Sequence, residues 1–266
     1  MPSSAEGDAA SSMPKCALCL RRKPLCKSHI VPEWCYRPSY DAKHRGIECS
    51  SRSPEQHFLQ KGKRQPLLCE ECDNVVLGKY ETQFKEFWFD RQALPHLVNG
   101  RSVSVDGADY TLCKLFHLSI LWRAGVSSLP EFANVSLGPH ADRLRQMLLT
   151  GDAGAEEAYA VIGFVIVLDN REVVYDLITG PIRSRKGAFT TYFMCYAGCE
   201  WYFIVNQRCS PEHHKLAIRK GCPLELGVMS LKDVKSLNYA LKDLATSHAR
   251  QEESLSHGRR RSGHGT

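Results

Sequence analysis

The chain has 266 residues, a formal net charge of +6 and 12 cysteines. Its composition, 43% hydrophobic and 24% charged, is that of an ordinary globular protein. No apolar run approaches the roughly 20 residues of a membrane span, so we expect no membrane partner. The first residues lack the basic-then-apolar pattern of a secretory signal. We therefore expect a reducing, cytoplasmic setting, in which cysteine pairs bind metal more often than they form disulfides.

Two Cys-x-x-Cys pairs stand out near the N-terminus, Cys16/Cys19 and Cys69/Cys72. A Cys-x-x-Cys turn presents two sulfurs to the same ion, and structural zinc takes four thiolates in a tetrahedron. The two pairs together predict one structural Zn²⁺ site. Two alternatives stay open at this point: a set of buried free thiols, and a local site of three cysteines and one histidine that uses Cys26 and His29 instead of the second pair. We expect Cys195, Cys199 and Cys209 to be core thiols.

Residues 1–14 are small and polar, and they predict a disordered leader. The next unit, 15–98, contains the cysteine pairs. Within it, Ile30 and Val31 predict a short strand that ends at Pro32, and the polar stretch 41–65 predicts a long loop with a possible strand at 57–59. Residues 73–91 carry Val76, Tyr80, Phe84 and Phe87 at helical spacing, which predicts a helix with an aromatic core face.

The second unit, 99–249, predicts helices followed mainly by strands. An alternating segment at 102–105 predicts a strand, and apolar periodicity predicts helices at 110–124 and 138–149. Segments rich in Val, Ile, Tyr and Phe then predict strands, at 159–168, 172–178, 189–196, 199–206 and 223–229. His213 and His214 are expected on a turn or a helix surface. A polar helix is expected at 232–249 and a disordered basic tail at 250–266.

The predicted fold class is therefore α+β. An N-terminal zinc-bound unit of the treble-clef or ββα type is followed by a helix-plus-antiparallel-sheet region.

With the motifs placed, residues 16–81 resemble the zinc-bound HNH, or His-Me finger, endonuclease motif. That motif has Cys-x-x-Cys, a His followed by Ile-Val-Pro or Ile-Ile-Pro, and Leu-Cys-x-x-Cys. Here the corresponding stretches are Cys16–Cys19, Ser28–Pro32 and Leu68–Cys72. The whole chain also resembles a set of uncharacterised bacterial proteins that share this unit. The nuclease resemblance covers about a quarter of the chain and does not extend to residues 100–245.

The resemblance implies a metal-dependent endonuclease that cleaves nucleic acid, with DNA as the expected substrate. It implies that His29 takes a proton from water as general base, and that Mg²⁺ or Mn²⁺ stabilises the charge on the scissile phosphate. Asp73 stands where the family has its last metal-binding His, and a carboxylate is an acceptable ligand for a hard cation. Glu81 is a candidate second carboxylate, or else a surface charge.

The chain departs from the family pattern at other positions. Ser28 replaces the Asp or His that precedes the base and binds the metal, and the family's Asn has no counterpart near Arg64. The endonuclease hypothesis therefore requires Ser28, His29, Asp73 and Glu81 to converge on one open cleft. Two rival hypotheses are a non-catalytic zinc module that binds nucleic acid or a protein partner, and a zinc site that only stabilises the fold for an unrelated activity of the second half.

Overall fold

A computed structural model describes residues 13–50, 53–186 and 189–246, and the predicted tail and most of the predicted leader lie outside these ranges. The chain has an α+β fold, as predicted. Its helices are α1 (Glu33–Tyr36), α2 (Gly78–Lys85), α3 (Tyr110–Val126), α4 (His140–Thr150), α5 (Pro211–Leu216) and α6 (235–246). Its strands are β1 (Cys26–His29), β2 (Gly46–Ser50), β3 (Ser53–Leu59), β4 (Arg64–Leu68), β5 (Ser102–Val105), β6 (Val161–Val167), β7 (Ile182–Lys186), β8 (Phe189–Tyr196), β9 (Cys199–Val205) and β10 (Leu224–Ser230).

The N-terminal unit is built on two small antiparallel ribbons. Strands β1 and β4 pair so that His29 lies opposite Arg64 and Cys26 lies opposite Leu68. Strands β2 and β3 form a hairpin within the segment between them. The strand predicted at Ile30–Val31 is wrong: the strand ends at His29, and these two residues turn into the core, where both are buried.

Helix α2 is extended at both ends by π-helical turns, Glu71–Leu77 and Glu86–Asp90, so the helical segment agrees with the prediction for 73–91. Its aromatic face is a core face, because Tyr80 and Phe84 are buried. Phe84 stacks on Phe116 of α3 with ring centroids 4.1 Å apart. Helix α3 is buried on nearly all sides, which explains its apolar sequence.

Helix α3 packs between the N-terminal unit and a six-stranded sheet in the order β5-β10-β6-β9-β8-β7. Neighbouring strands are antiparallel except β10 and β6, which are parallel. Trp88 donates from its indole to the carbonyl of Ala197 in the β8–β9 turn, at 2.9 Å. One buried hydrophobic cluster extends from Cys16 to Leu226 and joins the two halves of the chain.

One prediction for the sheet is wrong, and one of its strands was missed. Residues 172–178 form isolated bridges and no strand, because β6 already has β10 on one side and β9 on the other; only its end is left to bond Val173 and Val174. The edge strand β7 was not predicted, since its sequence, Ile-Arg-Ser-Arg-Lys, is polar at most positions. The predicted helix surface at His213 and His214 is part of α5. The division into units 15–98 and 99–249 stays a prediction.

Candidate metal centre

Four cysteine sulfurs meet in one place. The Sγ atoms of Cys16, Cys19, Cys69 and Cys72 all lie within 4.8 Å of one another, and those of Cys19 and Cys69 are 3.9 Å apart. Sulfurs bound to zinc at about 2.3 Å in a tetrahedron stand about 3.8 Å from each other. The four thiols could therefore hold a metal ion such as zinc without a large rearrangement. Within the described parts of the chain, no other group of three or more His, Cys, Asp or Glu side chains meets this criterion.

Backbone hydrogen bonds hold the two cysteine turns together. The amide of Ala17 donates to the carbonyl of Leu67 at 3.1 Å, next to the β1–β4 ribbon. The amide of Cys69 donates to the Cys16 sulfur at 3.3 Å. Cys72 follows on the first turn of the helical segment that leads into α2. Ribbon, turn and helix start thus each contribute to placing the four sulfurs.

The local environment also favours a thiolate at this centre. Burial raises the pKa of the Cys16 thiol, but hydrogen bonds from the backbone of Cys69, Cys19 and Leu18 outweigh it and bring the pKa down to about 7. Burial raises the pKa of Cys69 and of Cys72, and for Cys72 the neighbouring sulfurs raise it further. Four thiols packed this closely need a cation to neutralise the charge of their ionised forms.

Cys26 and His29 are not part of this cluster. The sulfurs that come together belong to the two Cys-x-x-Cys pairs. Cys26 is the first residue of β1, and burial and the nearby Asp73 carboxylate raise the pKa of its thiol. This grouping favours the four-cysteine site over the local alternative of three cysteines and one histidine.

His29 lies at the end of β1, half-buried, and its ring is fixed by one hydrogen bond. Its Nε2 is 2.8 Å from the carbonyl oxygen of Lys61. A carbonyl oxygen only accepts, so Nε2 carries the proton and Nδ1 has the lone pair. Lys61 and Gly62 both adopt a left-handed backbone, with φ of 64° at each, and a Cβ at Gly62 would lie 2.6 Å from the Tyr36 ring. This turn therefore requires glycine and presents the Lys61 carbonyl to the imidazole.

Two other residues implied by the HNH resemblance, Ser28 and Glu81, are engaged elsewhere in the fold. Ser28 is fully buried. Glu81 pairs with Arg123, with Oε1 and Nη1 2.6 Å apart. Asp73 is half-buried beside the cysteine centre, and its amide donates to the carbonyl of Cys69. Ser28 and Glu81 are thus not available as ligands for a second, catalytic cation.

Arg123 is a residue that sequence reasoning missed. It is 1% exposed, and its Nη1 also donates to the backbone carbonyl of His29 at 2.8 Å. A single arginine thus connects Glu81, α3 and the end of β1. The one sequence signal was an arginine within an otherwise apolar helical stretch, since a buried arginine needs anionic or carbonyl partners.

No protein-family model, curated protein or solved structure matches this chain. Within residues 13–50, 53–186 and 189–246, none of the helices is both long enough and apolar enough to cross a membrane.

Proposed function

We propose that this protein is a zinc-bound, HNH-like module that binds nucleic acid, and that its zinc is structural. The observation that carries the proposal is the convergence of four sulfurs from two turns 53 residues apart. A zinc ion with four protein thiolates has no open position for water or substrate, so its role is to hold the fold. Thiolates must stay reduced to bind zinc, which accords with a cytoplasmic setting.

Nucleic acid is the partner that the charge distribution favours. The chain has a net charge of +6. Around His29, the exposed side chains of Lys27, Lys61 and Arg64 lie on the β1–β4 ribbon and its turn. Such a cluster of cations attracts phosphates without requiring a base-specific contact. The HNH resemblance points to the same class of partner.

Zinc content tests the structural part of the proposal. We expect the purified chain to hold about one zinc ion, and Cys72→Ser to lose most of it, because three thiolates and a hydroxyl bind zinc far more weakly. Metal analysis by mass spectrometry measures both. Cys209→Ser is the matched control, since this cysteine lies outside the cluster. Zinc retained by Cys72→Ser would contradict the assignment.

Phosphodiester hydrolysis is the second candidate function. The observation that favours it is the His29 tautomer, which leaves Nδ1 free to accept a proton from water. Mg²⁺ or Mn²⁺ would then be held by Asp73 and by the phosphate itself, because Ser28 and Glu81 are otherwise engaged.

A plasmid-nicking assay with Mg²⁺ or Mn²⁺ separates the two functions. If His29 is the base, His29→Ala abolishes nicking while the exposed control His96→Ala retains it. Nucleic-acid binding with no nicking by the wild type supports the non-catalytic module. A zinc-loaded protein that binds neither DNA nor RNA contradicts the proposal and leaves a protein partner or a purely structural zinc site.

A further inference from the structure

A second basic site lies far along the chain from the cysteine centre, at the edge of the large sheet. A cleft of about 390 Å³ is lined by residues of the β7–β8 pair, the turn before α4 and the end of β9. We call it the arginine cleft, after Arg183 and Arg185. Its polar lining residues are Arg183, Arg185, His140, Thr190, Asn206 and Ser136.

The charge in the arginine cleft has one sign. Arg183 and Arg185 are two residues apart on β7, so both side chains leave the same face of the edge strand, and both are exposed. None of the described residues that line this cleft is acidic. Arginine holds phosphate oxygens with two parallel hydrogen bonds, and the Thr190 hydroxyl and the Asn206 amide can add further donors.

The arginine cleft continues into a larger one. Ser136 and Arg183 also line a groove of about 830 Å³ that runs from β7 to the N-terminal unit, where Val31 and Lys63 contribute to its wall. Four acidic residues, Glu48, Glu131, Asp176 and Asp243, line that groove, and Glu48 and Glu131 are each 2.5 Å from the Lys63 ammonium. The groove therefore connects the region next to His29 with the arginine pair.

The larger groove also has an exposed aromatic ring. Tyr239 of α6 lines it, and this residue is 53% exposed. A cationic cleft beside an exposed aromatic ring is the combination that proteins use for single-stranded nucleic acid, in which phosphates contact the cations and an unpaired base stacks on the ring. A duplex has no unpaired base to offer.

We propose that the arginine cleft binds the phosphodiester backbone of a single-stranded nucleic acid, and that Tyr239 stacks on one of its bases. This inference rests on the proposed function, because it names the form of nucleic acid and the surface that holds it. Charged residues on an edge strand also hinder unwanted strand pairing. Prevention of strand pairing requires only a charged side chain, whereas bidentate phosphate binding requires the guanidinium group of arginine.

Binding of a fluorescein-labelled oligothymidylate tests the site. We expect Arg183→Gln/Arg185→Gln to weaken binding by about tenfold or more at low salt. The slope of log affinity against log salt should fall by about 1.4, since each single-strand phosphate contact contributes about 0.7. Arg91→Gln/Arg101→Gln, which removes two exposed arginines elsewhere, is the charge-matched control and should keep both values near those of the wild type.

Two further variants test the specific contacts. Arg183→Lys/Arg185→Lys keeps the edge charge, and we expect it to restore only part of the affinity, because lysine cannot bind phosphate in a bidentate manner. Tyr239→Ala should weaken binding without changing the salt slope. Equal affinity of the arginine double variant and the control double variant would overturn the inference.

The wild-type result separates this inference from the proposed function. If the wild type binds no oligonucleotide, double-stranded or single-stranded, the proposed function fails and the inference fails with it. If the wild type binds duplex but not oligothymidylate, the proposed function stands and the inference is overturned. Direct binding of adenosine monophosphate to a wild type that binds no oligonucleotide would assign the cleft to a small phosphorylated ligand and overturn the inference of a nucleic-acid chain.

Discussion

A buried lysine in α3 makes its hydrogen bonds to neutral oxygens. Lys114 is 1% exposed, and its ammonium donates to the hydroxyl of Tyr110 at 2.9 Å and to the carbonyl of Ala155 at 2.7 Å. Burial, together with the nearby Lys220, lowers the pKa of Lys114 to about 8. Neutral oxygens compensate the charge less well than a carboxylate would, so folding disfavours the protonated form.

This shift predicts a dependence of stability on pH. The folded chain releases the Lys114 proton near pH 8, whereas the unfolded chain keeps it to about pH 10.5, so raising the pH across this window favours folding. Relative to Lys114→Met, we expect the wild-type free energy of unfolding to rise by about 2 kcal/mol between pH 8 and pH 10. Urea titrations of both proteins at several pH values measure the difference. A difference that is flat over this range would contradict the prediction.

At the level of elements, Arg123 connects three parts of the fold. It belongs to α3, pairs with Glu81 of α2 and donates to the carbonyl of His29 at the end of β1. The arrangement fixes the His29 backbone relative to the helical core, independently of the zinc site. The cysteine centre thus holds the start of the β1–β4 ribbon and Arg123 holds its end.

Replacing Arg123 alone should lower the free energy of unfolding more than replacing both Arg123 and Glu81. Arg123→Met leaves the Glu81 carboxylate without its cation, and we expect a loss of about 3 kcal/mol in the free energy of unfolding. The double variant Glu81→Gln/Arg123→Met should recover part of this loss, because no unpaired charge remains. Urea unfolding of the two single variants and the double variant gives the coupling energy. Additive effects would show that the ion pair does not matter for stability.

The largest of three buried hydrophobic clusters among the described residues extends through both halves of the molecule. This cluster includes the cysteine turns, the aromatic faces of α2 and α3 and the inner face of the six-stranded sheet. Elements that share a core tend to unfold together. The metal centre is therefore coupled to the sheet, although the two are far apart in sequence.

This coupling predicts one cooperative thermal transition for the zinc-loaded protein in differential scanning calorimetry. Zinc chelation should lower its melting temperature, because a ligand that binds only the folded state stabilises all of it. Chelation of Cys72→Ser, which is expected to lack zinc, should change nothing and serves as the control. Two separate transitions, of which only one responds to chelation, would contradict the single unit and support independent domains at 15–98 and 99–249.

Local sequence patterns predicted most of the elements. The aromatic period of the α2 segment, the apolar run of α3 and the Val-, Ile-, Tyr- and Phe-rich composition of β8 and β9 are each properties of a short stretch of chain, and all of these elements are present. The failures have tertiary causes. Strand β7 is polar because it lies at an edge of the sheet. The composition of residues 172–178 predicts a strand, but β6 is already paired with a strand on each side, so these residues form only isolated bridges.

The sequence by itself determined the α+β class and the two cysteine pairs, because hydrophobic period and Cys-x-x-Cys spacing are properties of a short stretch of chain. Only the tertiary structure decided which cysteines meet, that Ser28 is buried, and that Glu81 is bound by Arg123. Those outcomes depend on contacts between residues tens of positions apart, which no local pattern encodes. The same holds for the arginine cleft, which forms only when β7 lies beside the turn that precedes α4.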